Sequence, residues 1–198
     1  FLKDGDLVRI QSRRGAQVLS VQASDDMRSG QAFMPMHWGD EYVGGRDAFG
    51  VNGLTSPAVD PVSKQPELKH AAVSIRKAEL PWRFVAFAWV DRHEALSLQR
   101  RLRERMKEFS FASATLFGRE RVGVVFRAAN DSAVDVGDIL NDFGLDQSEV
   151  LRYDDVRRSV TRRVRVAEGK LAAVALAGDV AAEYWLRAFL EEGHPVSE

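Results

Sequence analysis

The residues best equipped for chemistry lie between Val51 and Lys69, in the stretch VNGLTSPAVDPVSKQPELK. Asn52 and Gln65 offer amides, Thr55 and Ser63 hydroxyls, and Lys64 and Lys69 ammonium groups. Together with the loop's backbone N–H groups, they suit a large polar ligand that carries phosphate. Pro57, Pro61 and Pro66 interrupt any helical or strand period, so the stretch is predicted to be a surface loop. Val51, Leu54, Val59, Val62 and Leu68 are spread along it as apolar anchors, which predicts an ordered loop. A loop of this length inside a compact domain is usually functional when it is ordered.

The rest of the chain offers little catalytic chemistry. There is no cysteine among the 198 residues, so disulfides, thiolate zinc sites and cysteine-bound iron–sulfur clusters are excluded from them. His37, His70, His93 and His194 are scattered without a metal-ligand spacing. No nucleophile-elbow, dinucleotide-binding or P-loop motif occurs. The carboxylates fall in turns and on helix faces. No catalytic residue or metal ligand is therefore predicted within these residues. A net charge of −1 implies no nucleic-acid partner. No apolar run approaches the roughly 18 residues of a membrane span. Absence of cysteine fits a reducing compartment, and a cytoplasmic location is expected.

The elements that must position the loop are short. Leu7–Gln11 and Ala16–Gln22 alternate as strands across Ser12-Arg13-Arg14-Gly15, whose two arginines read as solvated turn residues. Gln31–Met34 is predicted as a further strand, and Ala71–Arg76 as the last of a small β-barrel. The pattern changes at Leu80-Pro81, which divides the chain into residues 1–78 and 79–198. An apolar strand over Arg83–Val90 then leads through Asp91, a predicted N-cap, into a helix over Arg92–Phe109. Its buried stripe is Ala95, Leu98, Leu102, Met106 and Phe109. A hairpin follows over Ala112–Phe117 and Arg121–Ala128, then a short helix ending at Gly144. Asp154–Arg158 reads as a polar connection. Ser159–Val166 pairs with Lys170–Ala177 across Glu168-Gly169. The final helix carries Val180, Tyr184, Trp185, Ala188 and Phe189 on its apolar side and ends at Gly193. The second half is thus a small α+β domain, and its element order is compatible with a ferredoxin-like sandwich.

Four motifs carry a resemblance: GD-x-V-x-I-x-SRRG at Gly5–Gly15, PMHW at Pro35–Trp38, VNGLT at Val51–Thr55 and DPVSKQPELKHAAV at Asp60–Val73. The chain resembles the C-terminal pterin-binding region of bacterial assimilatory nitrate reductases, within the molybdenum bis-(molybdopterin guanine dinucleotide), or bis-MGD, oxidoreductases. The resemblance implies a double-psi β-barrel over residues 1–78. It also implies that the chain, which starts without methionine, is part of a longer polypeptide. Asn52 and Lys69 fall on the positions that contact one MGD, with Ser63 and Gln65 as further contacts. Met36 and His37 fall beside the substrate funnel.

The implied function is reduction of nitrate to nitrite by oxygen-atom transfer at Mo-bis-MGD, with nitrate as substrate. The metal's protein ligand and a [4Fe–4S] cluster would lie in preceding N-terminal domains, and some relatives continue into a [2Fe–2S] domain. The electron donor would be a flavoprotein, ferredoxin or flavodoxin. A formate dehydrogenase of the same superfamily is the alternative enzyme. A non-catalytic docking module is the alternative of a different class, and 79–198 is expected to serve interaction or docking of an electron partner.

Overall fold

The computed structural model describes residues 2–35, 39–46, 50–66 and 70–196. Its strands are β1 (Leu7–Gln11), β2 (Ala16–Ser20), β3 (Val43–Gly44), β4 (Ser74–Lys77), β5 (Trp82–Val90), β6 (Phe111–Phe117), β7 (Val122–Asn130), β8 (Leu151–Asp155), β9 (Val160–Ala167) and β10 (Lys170–Ala177). Its helices are α1 (Arg92–Arg105), α2 (Gly137–Asp142) and α3 (Glu183–Glu192). The whole is a mixed α+β fold rich in antiparallel sheet.

Two sheets organise it. The smaller has the order β2-β1-β4 and the larger β3-β6-β7-β5-β10-β9-β8. The strand β5, WRFVAFAWV, is buried on both faces, as expected of a central strand with continuous apolar sequence. Its alternation divides two cores. Phe84, Ala86 and Ala88 join the cluster built with α1 and α2, whereas Val85 and Phe87 join the cluster beneath α3. The helix α1 starts where Asp91 accepts a hydrogen bond from the His93 N–H at 2.8 Å. Its stripe Ala95, Leu98, Leu102 continues through Met106 and Phe109, which follow the helix in a 3-10 turn and its end. The β9–β10 turn uses Glu168 and Gly169 at φ 53° and 70°, positive values that match the twist of a tight hairpin.

The order β6-β7-β5-β10, with α1 as crossover between β5 and β6, is the ferredoxin-like strand order. Two additions extend it. The β8–β9 hairpin enlarges one end, and β3 from the first half pairs with β6 at the other. A third cluster then ties the small sheet to the large one through Leu7, Leu19, Val43, Leu80, Phe111 and Ala129.

Several local expectations are corrected. Gln31–Met34 forms no strand, because no described strand pairs with it, and Phe33 is exposed. The strand expected over Ala71–Arg76 is Ser74–Lys77. Asp154–Arg158 is not a plain connection. Its first two residues end β8, an edge strand whose weak apolar alternation hid it. Tyr184 and Trp185 do not face the core. The inward residues near α3 are Ala182, Leu186, Phe189 and Leu190, while Tyr184 is 87 % exposed and Trp185 also lies at the surface. Among the described residues of the first half, β1, β2 and β4 form an open three-stranded sheet while β3 joins the large sheet, and barrel closure is not seen there.

Candidate functional site

The candidate loop is two separate turns with different internal logic. The first is a 3-10 turn over Val51–Leu54, with Val51 and Leu54 buried and Asn52 exposed between them. Its close is a pair of bonds to the Asn52 carbonyl, from the Thr55 N–H at 3.3 Å and the Thr55 hydroxyl at 3.2 Å. The Asn52 side chain makes no hydrogen bond with another described residue, so its amide is available in both donor and acceptor sense.

This turn rests on the β1–β2 hairpin. A Cβ placed on Gly15 would sit 2.8 Å from the Gly53 carbonyl oxygen, so only glycine lets the two backbones approach this closely. The tertiary fold therefore brings the SRRG and VNGLT motifs into contact. Two bonds shape the SRRG turn itself, as the Ser12 hydroxyl accepts from the Arg14 and Gly15 N–H groups at 3.0 and 3.3 Å.

The second turn is organised by Asp60, which was not singled out from the sequence. One carboxylate oxygen of Asp60 accepts from the Val62 N–H (3.0 Å), the Ser63 N–H (2.6 Å) and the Ser63 hydroxyl (2.9 Å). The Asp60 N–H donates to the Gln65 carbonyl at 2.9 Å, and Val59 bridges Pro66. Lys64 occupies the left-handed region at φ 60° to complete the reversal. The Ser63 N–H first, then its hydroxyl and the Val62 N–H, hold the Asp60 carboxyl below its ordinary pKa. An Asp followed by backbone amides and a hydroxyl is a legible turn signal.

Ser63 and Gln65 thus stand together on this turn, and Asn52 stands on the other. The Ser63 hydroxyl already donates to Asp60 and accepts from the Gln65 N–H at 3.3 Å, so it keeps only acceptor capacity. The Gln65 side chain is exposed without a described partner. Lys69, Met36 and His37 lie outside the described residues.

A second residue missed from the sequence is Gln17 on β2. It is 2 % exposed, and neither atom of its carboxamide has a hydrogen-bond partner among the described residues. Strand alternation places it on the same face as Leu19 and its register partner Ile10, beside the Gly15–Gly53 contact. A buried amide left in this state costs about 1–3 kcal/mol. A polar side chain buried among apolar neighbours in a strand is the only sequence signal for it. The uncommitted amides of Gln17 and Asn52 fit a large polar ligand with many hydrogen-bonding edges, the character of a pterin dinucleotide.

Elsewhere, perturbed acids are structural clamps. Asp6 is held low by the Lys3 N–H and by Lys77, which it meets at 2.9 Å. Burial pushes Asp154 up, but its bonds to Arg163 and Thr161 outweigh this and lower it. No cluster of His, Asp and Glu able to hold a metal occurs among the described residues. No described helix is long and apolar enough to cross a membrane.

Comparison with known proteins agrees with the motifs. Residues 2–72 match the Molydopterin dinucleotide binding domain family. The chain is 38 % identical over 88 residues to a nitrate reductase of Klebsiella oxytoca, covering 44 % of this chain and 10 % of that one. It is 47 % identical over 64 residues to a nitrate reductase of Synechocystis, covering 32 % and 8 %. An F420-dependent formate dehydrogenase subunit alpha of Methanocaldococcus jannaschii is 36 % identical over 76 residues, covering 38 % and 10 %. The chain thus spans about a tenth of the length of these relatives. No solved structure matches it. Over residues 2–72 the chain is thus similar to molydopterin dinucleotide binding domains, and nitrate reductases are among the relatives it matches.

Proposed function

We propose that this chain is the cofactor-binding C-terminal part of a nitrate reductase, closing the cavity of a bis-MGD molybdenum centre and orienting one pterin dinucleotide. The observation that carries this is the exposed, unpartnered Asn52 amide on a turn locked to the SRRG hairpin, within the residues that match the dinucleotide-binding family. Asn52 would hold an edge of the pterin or guanine, and Lys69 would set its charge against the pyrophosphate. Gln65 and the acceptor side of Ser63 would contribute further polar contacts. Gln17 would gain the partner it lacks. Met36 and His37 would border the approach of the anionic substrate.

When bound, the cofactor supplies the two-electron chemistry that takes nitrate, with two protons, to nitrite and water. The chain's own residues bind, orient and shield it. Residues 1–78 would complete a double-psi β-barrel, and residues 79–198 would form the docking domain. The electron supply through a [4Fe–4S] cluster, any [2Fe–2S] domain and the metal's protein ligand would lie outside these residues.

A formate dehydrogenase part is the second reading, favoured by the match to F420-dependent formate dehydrogenase subunits. The full-length protein decides between them. With a reduced dye it should convert nitrate to nitrite, and formate oxidation without nitrate reduction would select the second reading. In the same protein, Lys69→Ala and Asn52→Ala should each lower molybdenum-cofactor content. Unchanged content in both would refute the roles given to these residues.

A further inference from the structure

A concentration of positive charge lies on the β8–β9 hairpin. Leu151–Val166 holds six arginines against two aspartates, a net of +4 in a chain whose total is −1. Internal pairing neutralises only part of it. Arg163 meets Asp154 at 2.9 Å, Arg158 meets Asp155 at 3.8 Å, and Arg162 reaches Asp179 at 3.0 Å. Arg157 forms no ion pair with another described residue.

The same hairpin exposes apolar surface. β8 is the edge strand of the seven-stranded sheet, so one side of its backbone is unpaired. Leu151 and Tyr153 are exposed along it, and Val156 in the turn after it is 89 % exposed. Register pairs Leu151 with Val164 and Tyr153 with Arg162, and Val164 packs into the cluster beneath α3. Leu151, Tyr153 and Arg162 therefore lie on the face of the sheet that carries α3.

The helix stops short of them. Glu183 pairs with Arg127 of β7 at 2.6 Å, and Arg187 lies over the Phe117 ring of β6 at 4.6 Å. That flank of α3 thus faces β7 and β6. Trp185, a half-turn around the helix from the mean direction of Glu183 and Arg187, borders the opposite flank, where β9 and β8 extend the sheet. The exposed indole, Tyr153 and Leu151 rim an uncovered ledge that carries Arg162, with Arg157 and Arg158 in the turn after β8, while Arg152, Arg163 and Arg165 alternate onto the opposite face.

We propose that this ledge is the docking surface for a protein partner with an acidic face. Aromatic and aliphatic anchors flanked by Arg162, Arg157 and Arg158 are the composition of a protein interface core and rim. The charge steers encounter with an acidic surface and repels a basic one. The interleaved Asp154, Asp155 and Asp179, and the apolar centre, favour a protein over a nucleic-acid backbone. Only the choice of probe rests on the function proposed above.

The test uses the full-length protein and flavodoxin as an acidic probe, with lysozyme as a basic one. Flavodoxin should bind, lysozyme should not, and affinity should fall roughly tenfold as salt screens the contact. The double substitution R157E/R158E should weaken binding by roughly tenfold or more. The pair Y153S/W185S should weaken it without changing its salt dependence. Neither should alter nitrate reduction driven by a small reduced dye. No flavodoxin binding by the unsubstituted protein, or equal binding by both variants, overturns the proposal. So does duplex DNA binding more tightly and losing affinity with the same charge reversals. A protein that binds flavodoxin as predicted but shows no dye-driven nitrate reduction retains this surface and loses the nitrate assignment instead.

Discussion

The two halves of the molecule are held by different forces. The seven-stranded sheet is built on burial, with Phe84, Phe87, Phe109 and Phe126 fully enclosed and two apolar clusters, one on each face. The small sheet and its loops have one modest cluster, and most of β4 is exposed on both faces. Short-range polar bonds shape the loops instead, with Asp6, Ser12, Asp60 and Ser63 each satisfying nearby backbone N–H groups. Burial gives cooperativity, because each side chain depends on many others. Local polar turns give a defined surface with free amides, at little cooperative strength. The first half is thus suited to meet a ligand and the second to hold a shape.

The contrast can be broken from the burial side first. Phe126 packs between Phe84 and Phe109, with ring centroids at 6.3 and 5.8 Å. Phe126→Ala should cost about 3–5 kcal/mol, seen as a lower denaturant midpoint for the large sheet. Loss below about 1 kcal/mol would mean the cluster is not the source of its stability.

A smaller effect of opposite sign is expected at Gln17. Replacing an unpartnered buried amide by an apolar group of similar shape removes its desolvation cost, so Gln17→Leu should raise stability of the cofactor-free protein by about 1 kcal/mol. The same substitution should lower cofactor content when the protein is loaded. Stabilisation with normal cofactor content would show that the amide is an orphan without a ligand.

The smallest effect concerns Asp60. Its carboxyl is held below the ordinary value of 3.8 by the Ser63 and Val62 donors. A depressed folded-state pKa stabilises above the unfolded value, and the contribution disappears as pH falls through the folded one. The Ser63 amide resonance should therefore move at a lower pH than an ordinary aspartate's titration would give. The core resonances of β5 should not follow. Asp60→Asn should remove the transition and loosen the turn without changing the denaturant midpoint of the large sheet.

Much of the fold was legible because its determinants are local. Asp91 marked the start of α1, Gly144 and Gly193 marked helix ends at positive φ, and Glu168-Gly169 marked a two-residue hairpin. β8 was not legible, since an edge strand with both faces wet carries only the weak alternation of Leu151 and Tyr153. The candidate site divided in the same way. Asn52, Ser63 and Gln65 were found through motif and residue type. Asp60 was overlooked although its turn chemistry is local, and Gln17 stood out only after its neighbours were known to be apolar.

Residue order alone determined the two turns of the candidate loop, the run of strands and helices, and the absence of thiol chemistry, because each depends on near neighbours or on composition. Tertiary structure alone decided that Gly15 lies against Gly53, that Val43 joins a sheet whose other strands lie beyond residue 80, and that Trp185 turns outward. These are contacts between residues far apart in the chain, and helical period cannot choose between two adjacent apolar stripes until a sheet covers one of them.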